Sequence, residues 1–144
     1  MVRWYRDNFV QATTTSPPLV TILTPVYCED ELITATISEV KGNMAVSYEM
    51  LVLYDFDEDT TIPYVKAMIP AVPELKLVKN TLGRGVINAI RTGIQQARGT
   101  YVVMINGDLA DDVATVNRMV KRAQEGYDLV CGTRYSKGGK KLGG

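Results

Sequence analysis

Residues 101–112 read Tyr-Val-Val-Met-Ile-Asn-Gly-Asp-Leu-Ala-Asp-Asp, an apolar run that ends abruptly in a turn with three carboxylates. Residues 101–105 are β-branched and aromatic without polar alternation, which predicts a strand buried on both faces. A buried strand that releases Asp108, Asp111 and Asp112 at its end is typical of sites for a divalent cation and its phosphates. The alternative is a solvated turn in which Asp111 or Asp112 caps the following helix.

The acidic residues as a whole follow the same pattern. The chain has 144 residues, enough for one domain with a core, and its 16 basic and 16 acidic residues cancel. Ten of the 16 carboxylates lie in three windows, at residues 29–31, 55–59 and 108–112, and each window follows a predicted strand. The bulk charge argues neither for nor against nucleic acid, and no nucleic-acid partner is expected.

Composition excludes several classes of protein. The chain has no histidine, so it cannot supply an imidazole base. Cys28 and Cys131 lack a metal-ligand spacing and favour a reduced, cytoplasmic protein. No apolar run approaches the roughly 20 residues of a membrane span, and the start lacks a signal-peptide core. Residues 1–18 are predicted to form a loosely held N-terminal arm, and residues 19–144 the domain.

From residue 19 onward, strand and helix patterns alternate. Strands are predicted at residues 19–26, 48–54, 75–78 and 101–105, with a fifth beginning at 128, and helices at 30–41, 84–98 and 110–125, with a short one after residue 59. This alternation predicts a three-layer α/β sandwich with a mainly parallel sheet, in which Ala89 and Gly93 let a helix approach closely. Ligands of such sheets bind beyond the carboxyl ends of the strands, where strand order reverses. The three acidic windows are therefore expected to converge on one crevice.

Three local features have competing interpretations. Residues 83–88 partly match the dinucleotide fingerprint but lack its third glycine, which favours a tight turn whose free amides meet a phosphate. Asp55, after the second strand, fits a receiver-type phosphoacceptor less well than a cap or a hydrogen bond to a base or ribose, because Arg134 stands where a lysine is needed. Arg134 itself suits phosphate oxygens through its planar fork, the alternative being a surface ion pair.

Several short motifs occur in a fixed order. Residues 25–29 read Pro-Val-Tyr-Cys-Glu, 83–85 Gly-Arg-Gly, 91–93 Arg-Thr-Gly, 106–108 Asn-Gly-Asp and 132–135 Gly-Thr-Arg-Tyr. In their order and spacing they resemble the motifs of family 2 glycosyltransferases of the GT-A fold. The most similar subgroup contains dolichyl-phosphate mannose synthase and the bacterial polyprenyl-phosphate sugar transferases. The resemblance covers about residues 20–139.

The resemblance implies a Rossmann-like GT-A domain that takes a sugar from a nucleotide-diphosphate sugar and transfers it, with inversion, to a polyprenyl or dolichyl phosphate. The residues implied at the nucleotide are Pro25, Tyr27, Glu29, Asp55, Asn106, Gly107 and Asp108. Mg²⁺ or Mn²⁺ would be held by Asp108 with help from Asn106, and the catalytic residues would be Asp108 and Arg134, which steers a phosphate. A cytoplasmic location with peripheral contact to a membrane surface is implied. The sugar, the base, the acceptor and the oligomeric state are not identified.

Departures from the family pattern keep a second interpretation open. Asn106 replaces the first aspartate of the Asp-x-Asp metal motif, and the domain is expected to be shortened at its C-terminus, without the acceptor-facing part. Both departures favour a nucleotide-sugar-binding module without turnover. If the acceptor were a sugar hydroxyl, a carboxylate base would be required, and Asp111 and Asp112 are the nearby candidates.

Overall fold

Runs of β-branched and aromatic residues form most of the single sheet in the computed structural model, which describes residues 1–3 and 16–133. The strands are β1 (Val2–Arg3), β2 (Val20–Pro25), β3 (Tyr48–Tyr54), β4 (Leu75–Lys79) and β5 (Tyr101–Met104). The helices are α1 (Leu32–Asn43), α2 (Thr61–Met68), α3 (Val86–Gln96) and α4 (Ala114–Gln124), and a 3₁₀ turn, Ile69–Ala71, follows α2. The four strands and four helices predicted between residues 19 and 125 are confirmed, although α4 begins later than expected.

The sheet has the strand order β1-β5-β2-β3-β4. β2 pairs in parallel with both β3 and β5, β3 pairs in parallel with β4, and β1 runs antiparallel to β5. Helices α1, α2 and α4 contribute to the core on one face of the sheet, and α3 covers the other face. The predicted three-layer α/β sandwich with a mainly parallel sheet is thus confirmed.

Close packing of α3 depends on Gly93. A Cβ atom at this position would lie 2.8 Å from Leu53 Cδ1 and 2.9 Å from Leu23 Cδ2, closer than carbon atoms approach. The absence of a side chain therefore lets α3 press directly onto β2 and β3, as the sequence predicts. This contact therefore also sets the position of the first turn of α3 relative to the carboxyl ends of the strands.

The β1 edge of the sheet contains an element that the sequence analysis did not identify. Val2 lies opposite Val102 of β5, and Met1 is buried in the core. The rest of the expected arm, residues 4–15, lies outside the described residues. The strand expected from residue 128 is wrong as far as residue 133, because β1 occupies the place beside β5 and Leu129 forms only one antiparallel bridge, with Val2. None of the helices formed by the described residues has the length and apolar character that crossing a membrane requires.

A buried carboxylate fastens the opposite, amino-terminal edge of the strands. Glu49 of β3 is 2% exposed and accepts hydrogen bonds from Thr21 Oγ1 (2.8 Å), Lys76 Nζ (3.0 Å) and the Arg98 backbone N–H (2.8 Å) and Nε (2.9 Å). Burial alone would raise the pKa of this carboxyl group, but the hydrogen bonds from Lys76, Arg98 and Thr21 outweigh it and hold the pKa below its usual range. The anionic form of Glu49 therefore ties β2, β3, β4 and the end of α3 together.

Replacing Glu49 tests this assignment. Because the folded-state pKa is lowered, the stabilisation is present above the ordinary glutamate pKa and is lost as the pH falls through the folded-state pKa. Glu49→Gln is expected to lower the free energy of unfolding by about 2 kcal/mol at neutral pH, since Lys76 and Arg98 lose their anion but keep contact with water. The deficit should shrink in acid. Urea denaturation at neutral and at acid pH measures this loss in the free energy of unfolding, and Glu58→Gln, at an exposed position, is the control. An equal loss at the two pH values would contradict the assignment.

Candidate functional site

A cleft of about 520 Å³ opens at the carboxyl edge of the sheet. The residues that line it are Pro25, Val26, Tyr27, Glu29, Asp55, Arg84, Gly85, Val86, Ala89 and Asn106. They come from the end of β2 and the loop after it, from the loops after β3, β4 and β5, and from the start of α3. Two of the three acidic windows therefore reach the cleft, through Glu29 and Asp55, and the third is represented only by the neighbouring Asn106. Asp108 does not line the cleft, but its charge acts on Glu29, which does.

The loop after β2 has a backbone that its own sequence does not favour. Cys28 and Asp30 both adopt left-handed conformations, with φ of 53° and 51°, which cost energy in residues other than glycine. The start of α2 holds this loop in place. The Cys28 N–H donates to Asp59 Oδ2 (3.2 Å), and the Glu29 N–H donates to Thr61 Oγ1 (2.9 Å). Asp59 and Thr61 are buried, so they fix the direction in which Glu29 leaves the backbone.

Glu29 lies in an acidic environment. Burial, followed by the charges of Asp108, Asp59 and Asp30, raises the pKa of its carboxyl group. Gly107 gives Glu29 the space it occupies, because a Cβ at that position would lie 3.3 Å from Glu29 Cγ. The Gly107 carbonyl in turn accepts a hydrogen bond from Thr36 Oγ1 (2.8 Å). A cation beside Glu29 would relieve this repulsion.

The loop after β5 is built by its own aspartates. Asp111 Oδ2 accepts hydrogen bonds from the Asn106 N–H (2.9 Å) and Asn106 Nδ2 (3.1 Å). Asp108 Oδ1 accepts one from the Ala110 N–H (3.0 Å), and Asp112 Oδ1 accepts one from the Ala114 N–H (3.0 Å) at the start of α4. The capping interpretation is therefore right for Asp112. Because Asn106 uses its amide nitrogen on Asp111, its carbonyl oxygen is directed away from that carboxylate.

Asp55 braces the glycine turn before α3. Its two oxygens accept hydrogen bonds from Asn80 Nδ2 (2.7 Å) and from the Gly85 N–H (2.7 Å). Asn80 also donates to the Gly83 carbonyl (2.6 Å) and accepts from Thr92 Oγ1 (3.0 Å). The expectation that all amides of residues 83–85 are free for a phosphate is wrong for Gly85, whose N–H is taken by Asp55. Asp55 still lines the cleft.

Tyr27, which lines the cleft, is one of a pair of aromatic side chains in contact with each other. Tyr27, 72% exposed, meets Phe56 edge to face at a centroid distance of 5.7 Å. The Arg84 guanidinium lies 5.0 Å from the centroid of the Phe56 ring, within the range of a cation–π contact. The exposed Tyr27 ring offers a planar ligand a stacking surface, and Arg84, which lies against the neighbouring half-buried Phe56, places a positive charge nearby.

The structure thus brings most of the predicted residues together. Pro25, Tyr27, Glu29, Asp55 and Asn106 line the cleft, and Gly107 and Asp108 lie beside Glu29. Arg134 lies outside the described residues. Among residues 1–3 and 16–133, no group of three or more His, Cys, Asp or Glu side chains is placed so that it could hold a metal ion.

Three supporting residues, Asp59, Asn80 and Thr61, could not be identified as such from the sequence. Asp59 was visible as part of an acidic window, but nothing in the sequence distinguishes a buried carboxylate from an exposed one in such a run. Asn80 and Thr61 gave no signal beyond their positions, one directly after β4 and the other at the start of α2.

The chain is similar in sequence to known glycosyltransferases. The model of a family described as glycosyl transferase family 2 matches residues 21–143. A dolichol-phosphate mannosyltransferase of Pyrococcus furiosus is 26% identical over 122 residues, which cover 84% of this chain and 34% of that protein. An undecaprenyl-phosphate 4-deoxy-4-formamido-L-arabinose transferase of Aeromonas hydrophila is 31% identical over 117 residues, 78% of this chain and 36% of that protein.

A solved structure supports the fold. The mannosyltransferase PcManGT from Pyrobaculum calidifontis, in complex with GDP-Man and Mn²⁺, superposes with a TM-score of 0.63 and 26% identity, over 77% of this chain and 35% of that chain. The chain spans about a third of the length of the proteins compared here.

Removing the Asp59 carboxylate should release the loop after β2. Asp59→Ala is expected to lower the free energy of unfolding by about 1–3 kcal/mol and to speed amide hydrogen exchange at Cys28 and Glu29. Asp59→Asn, which keeps an acceptor oxygen, should do so less. Asp57→Ala, in the same window but exposed, is the control. Unchanged exchange at Cys28 in Asp59→Ala would show that the hydrogen bond does not hold the loop.

Proposed function

Because this chain belongs to glycosyl transferase family 2, whose model matches residues 21–143, we propose that it takes a sugar from a nucleotide-diphosphate sugar bound in the cleft. The acceptor is a polyprenyl or dolichyl phosphate at a membrane surface, which the protein contacts peripherally from the cytoplasm. The observation that carries the proposal is the meeting of Tyr27, Glu29, Asp55 and Asn106, from three separate loops, in one cleft at the carboxyl edge of the sheet.

The nucleotide occupies the part of the cleft between the loops after β2 and β3. Tyr27 and Phe56 present a ring surface to the base, and Arg84 adds a positive charge beside it. Asp55 is held by Asn80 and Gly85 but retains acceptor lone pairs, since each carboxylate oxygen can accept more than one hydrogen bond. Pro25 contributes part of the cleft wall, and Gly107 acts from behind it by leaving room for the Glu29 side chain.

The donor atoms at the diphosphate end fit a hard divalent cation, Mg²⁺ or Mn²⁺. Asp108, the carbonyl oxygen of Asn106 and the neighbouring Glu29 supply only oxygen ligands. Too few side chains converge within residues 16–133 to hold the ion alone, and Mg²⁺ commonly binds through one or two carboxylates together with substrate phosphates. When bound, the cation neutralises charge that develops on the leaving diphosphate. Mn²⁺ accompanies GDP-Man in the PcManGT structure.

The chemistry needs no base from the protein. An oxygen of the acceptor phosphate, already anionic at neutral pH, attacks the anomeric carbon while the bond from that carbon to the diphosphate breaks. The products are a glycosylated lipid phosphate and a nucleoside diphosphate, and a single displacement inverts the anomeric centre. The lack of histidine is consistent with this chemistry. Arg134 steers the acceptor phosphate or the diphosphate.

A hydroxyl acceptor is less compatible with the site, because its base would have to be Asp111 or Asp112. Asp111 already accepts two hydrogen bonds from Asn106, and Asp112 accepts from the Ala114 N–H and from Thr115 Oγ1 (2.7 Å). One observation favours a different function: Asn106 removes an anionic ligand from the metal motif. A module that binds the nucleotide sugar without turnover is therefore the second candidate.

Binding and transfer measured separately distinguish these two candidates. Titration calorimetry with GDP and UDP, with and without Mn²⁺, tests donor binding, and transfer of labelled sugar to a polyprenyl phosphate tests turnover. Asp108→Ala is expected to lower the transfer rate about 100-fold, because it removes a group that stabilises the leaving diphosphate. Asp57→Ala should leave it unchanged. Metal-dependent binding without any transfer by the unaltered chain would support the module and exclude the enzyme.

The pair formed by Asn106 and Asp111 makes a further prediction. Asn106→Asp alone would set two acceptor-only carboxylates against each other, so we expect lower stability and no gain in Mn²⁺-dependent binding of nucleoside diphosphate. Exchanging the pair, with Asn106→Asp and Asp111→Asn, restores a donor and adds an anionic ligand, and it should tighten that binding about ten-fold. Calorimetry on both variants decides, with Asp111→Asn alone as control. Equal affinities in the single and exchanged variants would disprove the coupling.

A further inference from the structure

Charge is distributed unevenly along this electrically balanced chain. No acidic residue occurs between Glu74 and Asp108, and this segment contains five basic residues, Lys76, Lys79, Arg84, Arg91 and Arg98. Three of the five are neutralised by acids from elsewhere: Lys76 and Arg98 bind Glu49, and Lys79 binds Asp57. Arg84 and Arg91 form no ion pair within the described part of the chain. The unbalanced positive charge of the segment is therefore concentrated at the start of α3.

The same two arginines border a shallow groove of about 510 Å³. Its lining consists of Arg84, Gly85, Val86, Ile87, Asn88 and Arg91, with no acidic residue among them. Val86 and Ile87 are 57% and 65% exposed, although they begin a helix whose other side is well packed against the sheet. We refer to this set of residues as the α3 groove.

The α3 groove is continuous with the cleft, because Arg84, Gly85 and Val86 line both. Single exposed apolar residues are common on protein surfaces and need no explanation. Here two adjacent aliphatic side chains stand between two arginines without ion pairs, beside the opening of the candidate active site. Leu82, also exposed, lies in the loop that leads into this helix.

We propose that the α3 groove docks the protein onto a membrane that carries anionic phospholipids. Val86 and Ile87 insert at the boundary between headgroups and acyl chains, Arg91 binds lipid phosphates, and Arg84 adds positive charge where the groove meets the cleft. Guanidinium groups suit this place because they form paired hydrogen bonds to phosphate oxygens. The charge complementarity selects an anionic lipid surface over a neutral one.

Docking in this orientation places the mouth of the cleft at the lipid surface. The proposal rests on the proposed function only for the presence of a lipid-borne acceptor, since the surface itself is defined by exposure and charge. A phosphate attached to a polyprenyl chain would then reach the cleft without leaving the bilayer.

Vesicle sedimentation of the whole chain tests the surface. The probes are vesicles of phosphatidylcholine alone and of phosphatidylcholine mixed with phosphatidylglycerol. Binding is expected only to the anionic vesicles and should weaken as salt is added. Arg91→Gln should lower the partition coefficient about five-fold, the contribution of one cation near such a surface. Ile87→Ser should lower it about ten-fold, since an inserted side chain is lost. Neither residue lines the cleft.

Matched controls separate the groove from general surface effects. Leu129→Ser removes a side chain that is 61% exposed elsewhere, and Arg122→Gln removes an arginine of α4, on the opposite face of the sheet. Both should bind anionic vesicles as the unaltered chain does, and Arg91→Lys should keep most of the binding. The proposal would be overturned if the unaltered chain failed to bind anionic vesicles. It would also be overturned if Ile87→Ser and Arg91→Gln bound them as strongly as the unaltered chain does.

Calorimetry with nucleoside diphosphate and Mn²⁺, in the absence of vesicles, keeps the two proposals apart. Ile87→Ser and Arg91→Gln should bind nucleotide like the unaltered chain, which also shows that they fold. If groove variants lose vesicle binding but the unaltered chain binds no nucleotide, the docking surface stands and the proposed function fails. If the unaltered chain binds nucleotide but the groove variants keep their vesicle binding, the docking surface is excluded and the proposed function stands.

Discussion

β2 is hydrogen-bonded along both edges, to β3 and to β5, and is covered on both faces by helices. Because both ladders are parallel, the three strands end at one edge, with Pro25 opposite Leu53 and Leu23 opposite Met104. The chain leaves β2 toward β3 and β4 and returns to β5 on the other side, so strand order reverses at β2, where the cleft lies. A slip of one residue in either ladder would turn buried side chains to the wrong face. The register of β2 with its two neighbours therefore determines both the packing of the core and the geometry of the cleft.

Most of the carboxylates at this edge hold the loops in shape. Asp59 fixes the loop after β2, Asp55 fixes the glycine turn, and Asp111 and Asp112 shape the loop after β5. Each accepts backbone N–H groups that the tight turns would otherwise leave unsatisfied. Glu29 is different, because no hydrogen bond to its side chain is found in the described part of the chain, and burial, followed by neighbouring negative charges, raises its pKa. Some acids thus hold the loops in shape, while Glu29 lines the cleft.

The fold was predictable because its signals are local. The apolar run at residues 101–105 needed no partner to identify it as a buried strand, and the spacing of Ala89 and Gly93 marked the face of α3 that meets the sheet. β1 was missed because two residues carry no periodicity, and its pairing with β5 spans about a hundred residues of chain. The approach of the windows that contain Glu29 and Asp55 to one cleft followed from strand direction alone. The hydrogen bond between Asp59 and Cys28 could not be predicted in this way, because it depends on a left-handed backbone conformation that the residue types do not indicate.

Asn106 illustrates why a motif read residue by residue is incomplete. Taken alone, its amide looks like a weakened metal ligand. In the folded chain it faces Asp111, which accepts both its backbone and side-chain N–H groups, so a carboxylate at position 106 would meet a carboxylate already in place. The surroundings are also acidic, because the charges of Asp108, Asp59 and Asp30 add to the effect of burial, which is the largest cause that raises the pKa of Glu29. The amide therefore keeps an oxygen available near the cleft without adding charge to a crowded cluster. Asparagine at position 106 lacks the negative charge of an aspartate, but its side chain donates a hydrogen bond to Asp111 that fixes the direction of its carbonyl oxygen.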